Sequence, residues 1–167
     1  YGNQEIHTPH IDQLAKEGMR VTHCFNSAPM CAPTRMSLYT GIHPVRNGAH
    51  PNHSKVYPHI KSIPHYLKDL GYRVALLGKR HYSPEENFPF EFLGGRGHDN
   101  GEGLDLDLGI ARTFFGETSN PWCLVVASNQ SHTPWNRGDT SQYDPASLSL
   151  PPYLVDTKET RIGMMKY

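Results

Sequence analysis

"SIPHYLKDLGYRVALLGKRH", residues 62–81, holds the pattern that decides the fold. Its first half reads as a helix. "YRVALLG" then follows as an unbroken apolar run, the mark of a strand covered on both faces. The run stops abruptly at Lys79, Arg80 and His81. A second run of the same kind, "WCLVVAS" at 122–128, follows the predicted helix "LDLDLGIARTFFGE" at 104–117 and gives way to Asn129, Gln130, Ser131 and His132. Helices alternating with short, fully apolar strands predict an α/β fold with a mainly parallel sheet flanked by helices. In such sheets ligands gather beyond the carboxyl ends of the strands, so the residues after each run are the ones to inspect.

Working outward, "TPHIDQLAKEG" (8–18) predicts a short amphipathic helix. Thr8 is placed as its N-cap, Pro9 opens it, Ile11, Leu14 and Ala15 fall at helical spacing, and Gly18 stops it. "MRVTHCF" (19–25) reads as a further strand and Cys31–Tyr39 as a helix ending at Gly41. Residues 42–60 are rich in His, Pro, Asn and Gly and predict irregular surface structure, as do 82–103. The chain after Gln130 also reads as loop, with four prolines between 134 and 152.

At 167 residues the chain has the length of one domain. Lys plus Arg and Asp plus Glu both number 16, so no net field draws it to nucleic acid or an anionic membrane. No apolar run approaches the ~20 residues of a membrane span. The first residue is Tyr1, not Met, so a missing leader says nothing about compartment. Three cysteines exclude full disulfide pairing within the chain. Cys24 and Cys123 lie in apolar, strand-like surroundings and read as small hydrophobes.

Cys31 differs, because turn and helix-start residues surround it in "MCAPTRMSLYTG" (30–41). The free amides of a helix's first turn form an anion site. Pro33 suits that turn, and Arg35, four residues on, shares a face with Cys31. If Lys79 and His81 stay extended, their side chains point the same way. Three strand ends then bring a thiol, an amine and two imidazoles to one edge. Other readings exist for each group alone: Lys79, His81 and His132 as solvated loop residues, Cys31 bonded to Cys24, or Cys31 with His43, His50 and His53 around zinc, although that spacing is unusual.

"CAPTRMSLYTG" resembles the signature of the type I, formylglycine-dependent sulfatases, C-x-P-[ST]-R followed by four residues and Thr-Gly, at every fixed position. "IHTPHIDQLAKEGMRVTHCF", "LLGKRH" and "SHTPW" resemble the family's other elements, and "GKRHYSPEENFPFEF" with "YDPASLSLPPYLVDTKETR" resembles the heparan N-sulfatase (sulfamidase) branch. The resemblance implies an incomplete alkaline-phosphatase-like sulfatase domain over 1–167. It implies that Cys31 is oxidised by a formylglycine-generating enzyme and that one hydroxyl of the resulting hydrate attacks sulfur. Arg35 would stabilise the hydrate, Lys79 would grip the sulfate and His132 would protonate the leaving group. His81 would take a proton from the second hydroxyl to release the covalent sulfate. Residue 31 would also ligate calcium, whose remaining family ligands have no counterpart in these 167 residues, so weak metal binding and poor turnover are expected of the chain alone.

The implied reaction is hydrolysis of a sulfuric ester or sulfamate on a sulfated glycan, in a secreted, periplasmic or lysosomal setting. Alternatives are a phosphomonoester or phosphonate hydrolase of the same superfamily and a non-catalytic glycan-binding remnant. His50, with Asn47 and His53, lies in the loop after the signature, where substrate contacts are plausible, as is a solvated polar loop.

Overall fold

The computed structural model describes residues 3–95, 106–136 and 138–167. In chain order its elements are α1 (Pro9–Glu17), α2 (Cys31–Thr40), α3 (Pro44–Asn47), α4 (Ile63–Asp69), β1 (Arg73–Gly78), β2 (Glu91–Phe92), α5 (Leu108–Glu117), β3 (Trp122–Ala127) and α6 (Lys158–Met165), with three short 3-10 turns. The chain divides into two compact units, one of Asn26–His132 and one formed by the described part of Tyr1–Phe25 with Thr133–Tyr167.

In the first unit β1 lies between β2 and β3 in an all-parallel sheet. Arg73 pairs with Trp122 and the register runs without a break to Gly78 opposite Ala127. Val74, Ala75, Leu76 and Leu77 are all buried, as an apolar run without alternation requires. Leu76 joins Ala32, Met36 and Tyr39 of α2, together with Ala49, Val56, Ile60 and Phe88, in one core. Each such large side chain contributes about 2 kcal/mol through burial. Phe114 of α5 is buried, edge-on to Trp122 of β3, with the Arg73 guanidinium 4.4 Å from its ring centroid.

β1 ends at Gly78 for a steric reason. Its φ is +100°, and a Cβ there would sit 2.2 Å from the Ala127 carbonyl oxygen. Only glycine allows the two strand ends to come so close. The backbone then ties the end off: Gly78 N–H donates to Gly94 O at 2.8 Å and Lys79 N–H to Ala127 O at 2.7 Å.

Two asparagines hold the loops around this core. Asn47, fully buried, donates to Ile42 O and Thr40 Oγ1 and accepts from Ala49 N–H. Asn87 Nδ2 meets the carbonyls of Tyr57, Pro58 and Ile60. Each replaces hydrogen bonds that buried loop carbonyls cannot obtain from water.

In the second unit, the Arg161 guanidinium on α6 bonds Asp156 and the carbonyls of Pro145 and Leu148, which seats the helix on a proline-rich turn. Thr157 caps α6 by accepting from Thr160 N–H. The Glu5 carboxylate accepts from both the N–H and the hydroxyl of Ser149.

Several expectations need correcting. Residues 19–25 form no strand: Met19, Val21 and Phe25 are exposed, Cys24 with them, and no strand among the described residues pairs with the segment. An extended pattern becomes a strand only where a neighbour accepts its backbone groups. α6 was hidden behind the prolines that precede it, and β2 and α3 are too short to leave a periodic signal. The helix predicted over 104–117 is observed from Leu108, and residues 96–105, which hold the end of the predicted 82–103 loop and the first two positions of that helix, lie outside the described residues.

Candidate active site

Cys31 is the first residue of α2, preceded by Met30 in extended conformation. Met30 offers no side-chain acceptor, and no acidic residue stands in the first turn, so the amide end of the helix is uncapped. Pro33 is fully buried there and brings no N–H of its own. Gly41 closes the helix in the left-handed region, φ +68°.

Cys31 is half-buried and lines a cleft of about 500 Å³ with Asn26, Pro29, Met30, Thr34, Arg35, Leu38 and Tyr39. Such a place fits a small polar group on residue 31 next to a cation. Arg35 is held from two sides. Its Nη1 donates to the Lys79 carbonyl at 3.3 Å, and its guanidinium adjoins Tyr39, whose phenol is pushed up by burial and only partly drawn back by that charge. The helix that carries residue 31 is thereby fastened to the end of β1.

Lys79 is 2% exposed, an unusual position for an ammonium group. Beside it Arg80 turns the other way, bonding Glu85 at 2.6 Å and lying over the Phe92 ring at 4.4 Å. The expectation of an extended Lys79–His81 segment is therefore corrected. The strand stops at Gly78, and His81 has φ +46°, so the two-residue alternation does not apply past the strand end.

A second route connects His81 to residue 31. His81 Nε2 lies 3.1 Å from His53 Nδ1, His53 Nε2 lies 3.2 Å from Asn52 Nδ2, and Asn52 Oδ1 lies 4.0 Å from Cys31 Sγ. His53 is also left-handed, with φ +61°. Two touching non-glycine residues in that region store about 1–2 kcal/mol each, held by the surrounding structure. Asn52 was missed in the sequence, and the contact of His53 with His81 as well, because nothing periodic in the 42–60 loop marks which of its polar residues meet.

Other candidates part company. His132 stands at the end of β3, exposed, its backbone N–H bonded to Asn129 O. His50 is exposed on the same loop as His53. Asn47 is a buried structural residue. The disulfide alternative is corrected too: Cys24 and Cys31 are both free thiols. Cys123, half-buried on β3, is a thiol whose pKa is raised by burial. Among the described residues no three His, Cys, Asp or Glu side chains converge to hold a metal ion, so neither the zinc alternative nor a calcium site finds its donors there.

A sulfatase family model matches residues 1–105. The chain belongs to the sulfatase family. It is 35% identical over 133 residues to an ulvan-active sulfatase of Formosa agariphila and 34% identical over 144 residues to the human N-sulphoglucosamine sulphohydrolase, each alignment covering 79% of this chain. This sulfatase chain spans about a quarter of the length of those relatives, 27% and 28%. The same fold occurs in the solved structure of BT4656 in complex with its substrate D-glucosamine-2-N,6-O-disulfate, at TM-score 0.68 and 23% identity, over 81% of this chain and 32% of that one. No described helix of the sulfatase chain is long and apolar enough to cross a membrane.

Proposed function

We propose that the protein carrying this chain hydrolyses sulfuric esters or sulfamates of sulfated glycans, with residue 31 as the nucleophile after conversion to formylglycine. The observation that carries this reading is the fastening of α2 to the end of β1: Cys31 opens the helix, and Arg35, one turn on, bonds the backbone of Lys79. The converted side chain supplies a hydrated aldehyde, an oxygen nucleophile that cysteine itself lacks.

The chain's own residues do the rest. The amides at the start of α2 and the Arg35 guanidinium stabilise negative charge at residue 31. Lys79 holds the sulfate oxygens, and its burial strengthens that attraction by excluding water. His132 gives a proton to the departing nitrogen or oxygen, and exposure at the end of β3 leaves room for a leaving group as large as a sugar. His81 takes a proton from the remaining hydroxyl of residue 31. No step is routed through calcium, because the described residues do not provide its site. The similarity to an N-sulphoglucosamine sulphohydrolase supports a glucosamine N-sulfate as substrate, and a secreted, periplasmic or lysosomal location accords with such a substrate.

Mass spectrometry of the tryptic peptide Val21–Arg35, from protein made in a host with the formylglycine-generating enzyme, tests the reading. An aldehyde at position 31 and turnover of aryl sulfate over aryl phosphate are expected. An intact thiol in a protein that still turns over sulfate would overturn it.

A further inference from the structure

We propose that Tyr39 is a positioning residue for Arg35, its phenol oxygen holding the guanidinium beside residue 31 without neutralising the charge. The inference rests on the reading of Arg35 as the group that stabilises negative charge there. Arg35 and Tyr39 stand four residues apart on α2, on one face of the helix, and both line the cleft that holds Cys31. The guanidinium donates to the phenol oxygen, and its Nη1 donates to the Lys79 carbonyl at 3.3 Å. A guanidinium carries no acceptor, so the direction of both bonds is fixed. The Lys79 end is held in turn, since the N–H of that residue donates to Ala127 O at 2.7 Å.

The phenol is itself immobile. Tyr39 is 5% exposed, and its ring meets those of Tyr82, Phe88 and Phe90 edge-on, with centroids 6.0, 6.3 and 5.2 Å away. Close packing of that kind leaves the oxygen one place to stand. The phenol is also neutral. Burial pushes it up from its ordinary value, more than the Arg35 charge beside it draws it down, so at neutral pH it keeps its proton. A carboxylate in the same place would pair with the guanidinium and cancel the charge that residue 31 needs. A carbonyl and a phenol hold the planar fork and leave its net charge whole. A donor already in place costs no reorganisation when negative charge develops in the reaction. Without the phenol oxygen the long side chain regains rotamer freedom, and part of that advantage goes.

Steady-state rates of the whole protein on an aryl sulfate test this, each normalised to the aldehyde content at position 31 measured by mass spectrometry. Tyr39→Phe keeps the ring and removes the acceptor, and is expected to lower kcat about five- to fiftyfold with KM within about threefold. Tyr82→Phe removes a hydroxyl from a neighbouring ring of the same aromatic bed and is expected to leave kcat within about twofold. Arg35→Lys should lower kcat further than Tyr39→Phe does, and adding Tyr39→Phe to it should change nothing more. The positioning role is overturned by a wild-type kcat in Tyr39→Phe, by an equal loss in Tyr82→Phe, or by an undiminished effect of Tyr39→Phe in the Arg35→Lys background. A low kcat in Arg35→Lys beside a wild-type one in Tyr39→Phe leaves the site reading standing. A wild-type kcat in Arg35→Lys defeats the reading of Arg35, and the role of Tyr39 with it. Where Arg35→Lys blocks conversion of residue 31, the two tyrosine variants decide.

Discussion

β1 and β3 run side by side in unbroken register, yet their ends are built for different tasks. β1 is the central strand, buried from Val74 to Gly78, and it hands the chain to Lys79 in a place closed to solvent. β3 is partly exposed along its length and leads to an exposed His132. The contrast teaches that one parallel sheet can end its central strand in a closed place and its edge strand in an open one.

The largest effect expected from this contrast is on turnover. Lys79→Ala should cost about 10²–10³ in kcat on every sulfate substrate, because charge on the sulfate oxygens is common to all. His132→Gln should cost about 10²–10⁴ on a glycan sulfate, yet leave an activated aryl sulfate nearly untouched, since that leaving group needs no proton. Steady-state rates on the two substrates check both, and an equal loss for His132→Gln on each would break the comparison.

Stability comes next. Gly78→Ala should remove about 3 kcal/mol or more, because a Cβ would meet the Ala127 carbonyl at a backbone angle that suits only glycine. Urea unfolding measures this. Asn47→Ala should cost about 2 kcal/mol by leaving buried loop groups unpaired, and KM on the retained fold should be unchanged.

The smallest effect lies at the start of β1, far from the site. Arg73 donates to Glu91 on β2 from Nε and Nη2, and that hydrogen bonding holds the Glu91 carboxyl below its ordinary pKa. A carboxyl whose folded pKa is depressed adds stability in full above its unfolded pKa, and the contribution is lost as pH falls through the folded value. The pair is partly solvated, so Glu91→Gln should remove less than about 1 kcal/mol at neutral pH and nothing at strongly acid pH. Unfolding at both pH values checks the sign.

How much of this was legible beforehand follows from which forces are local. The runs 72–78 and 122–128 and the helix starting at Cys31 were readable because burial on both faces and first-turn chemistry leave their mark on adjacent residues. The stretch 19–25 carries a strand-like pattern and forms no strand, since strand formation depends on a partner that its own residues cannot supply. α6 was obscured because a density of prolines speaks only for the segment that contains them.

For this protein the sequence by itself determined the parallel α/β framework and the family, and it put forward Cys31, Arg35, Lys79, His81 and His132 as candidates, since each is written in a local pattern or a fixed spacing. Only the tertiary structure decided that Lys79 is buried, that Arg35 is tied to its backbone, and that Asn52 and His53 stand between residue 31 and His81. Those relations join residues far apart in the chain. They exist only where the fold brings strand end, helix start and loop within hydrogen-bonding reach of one another.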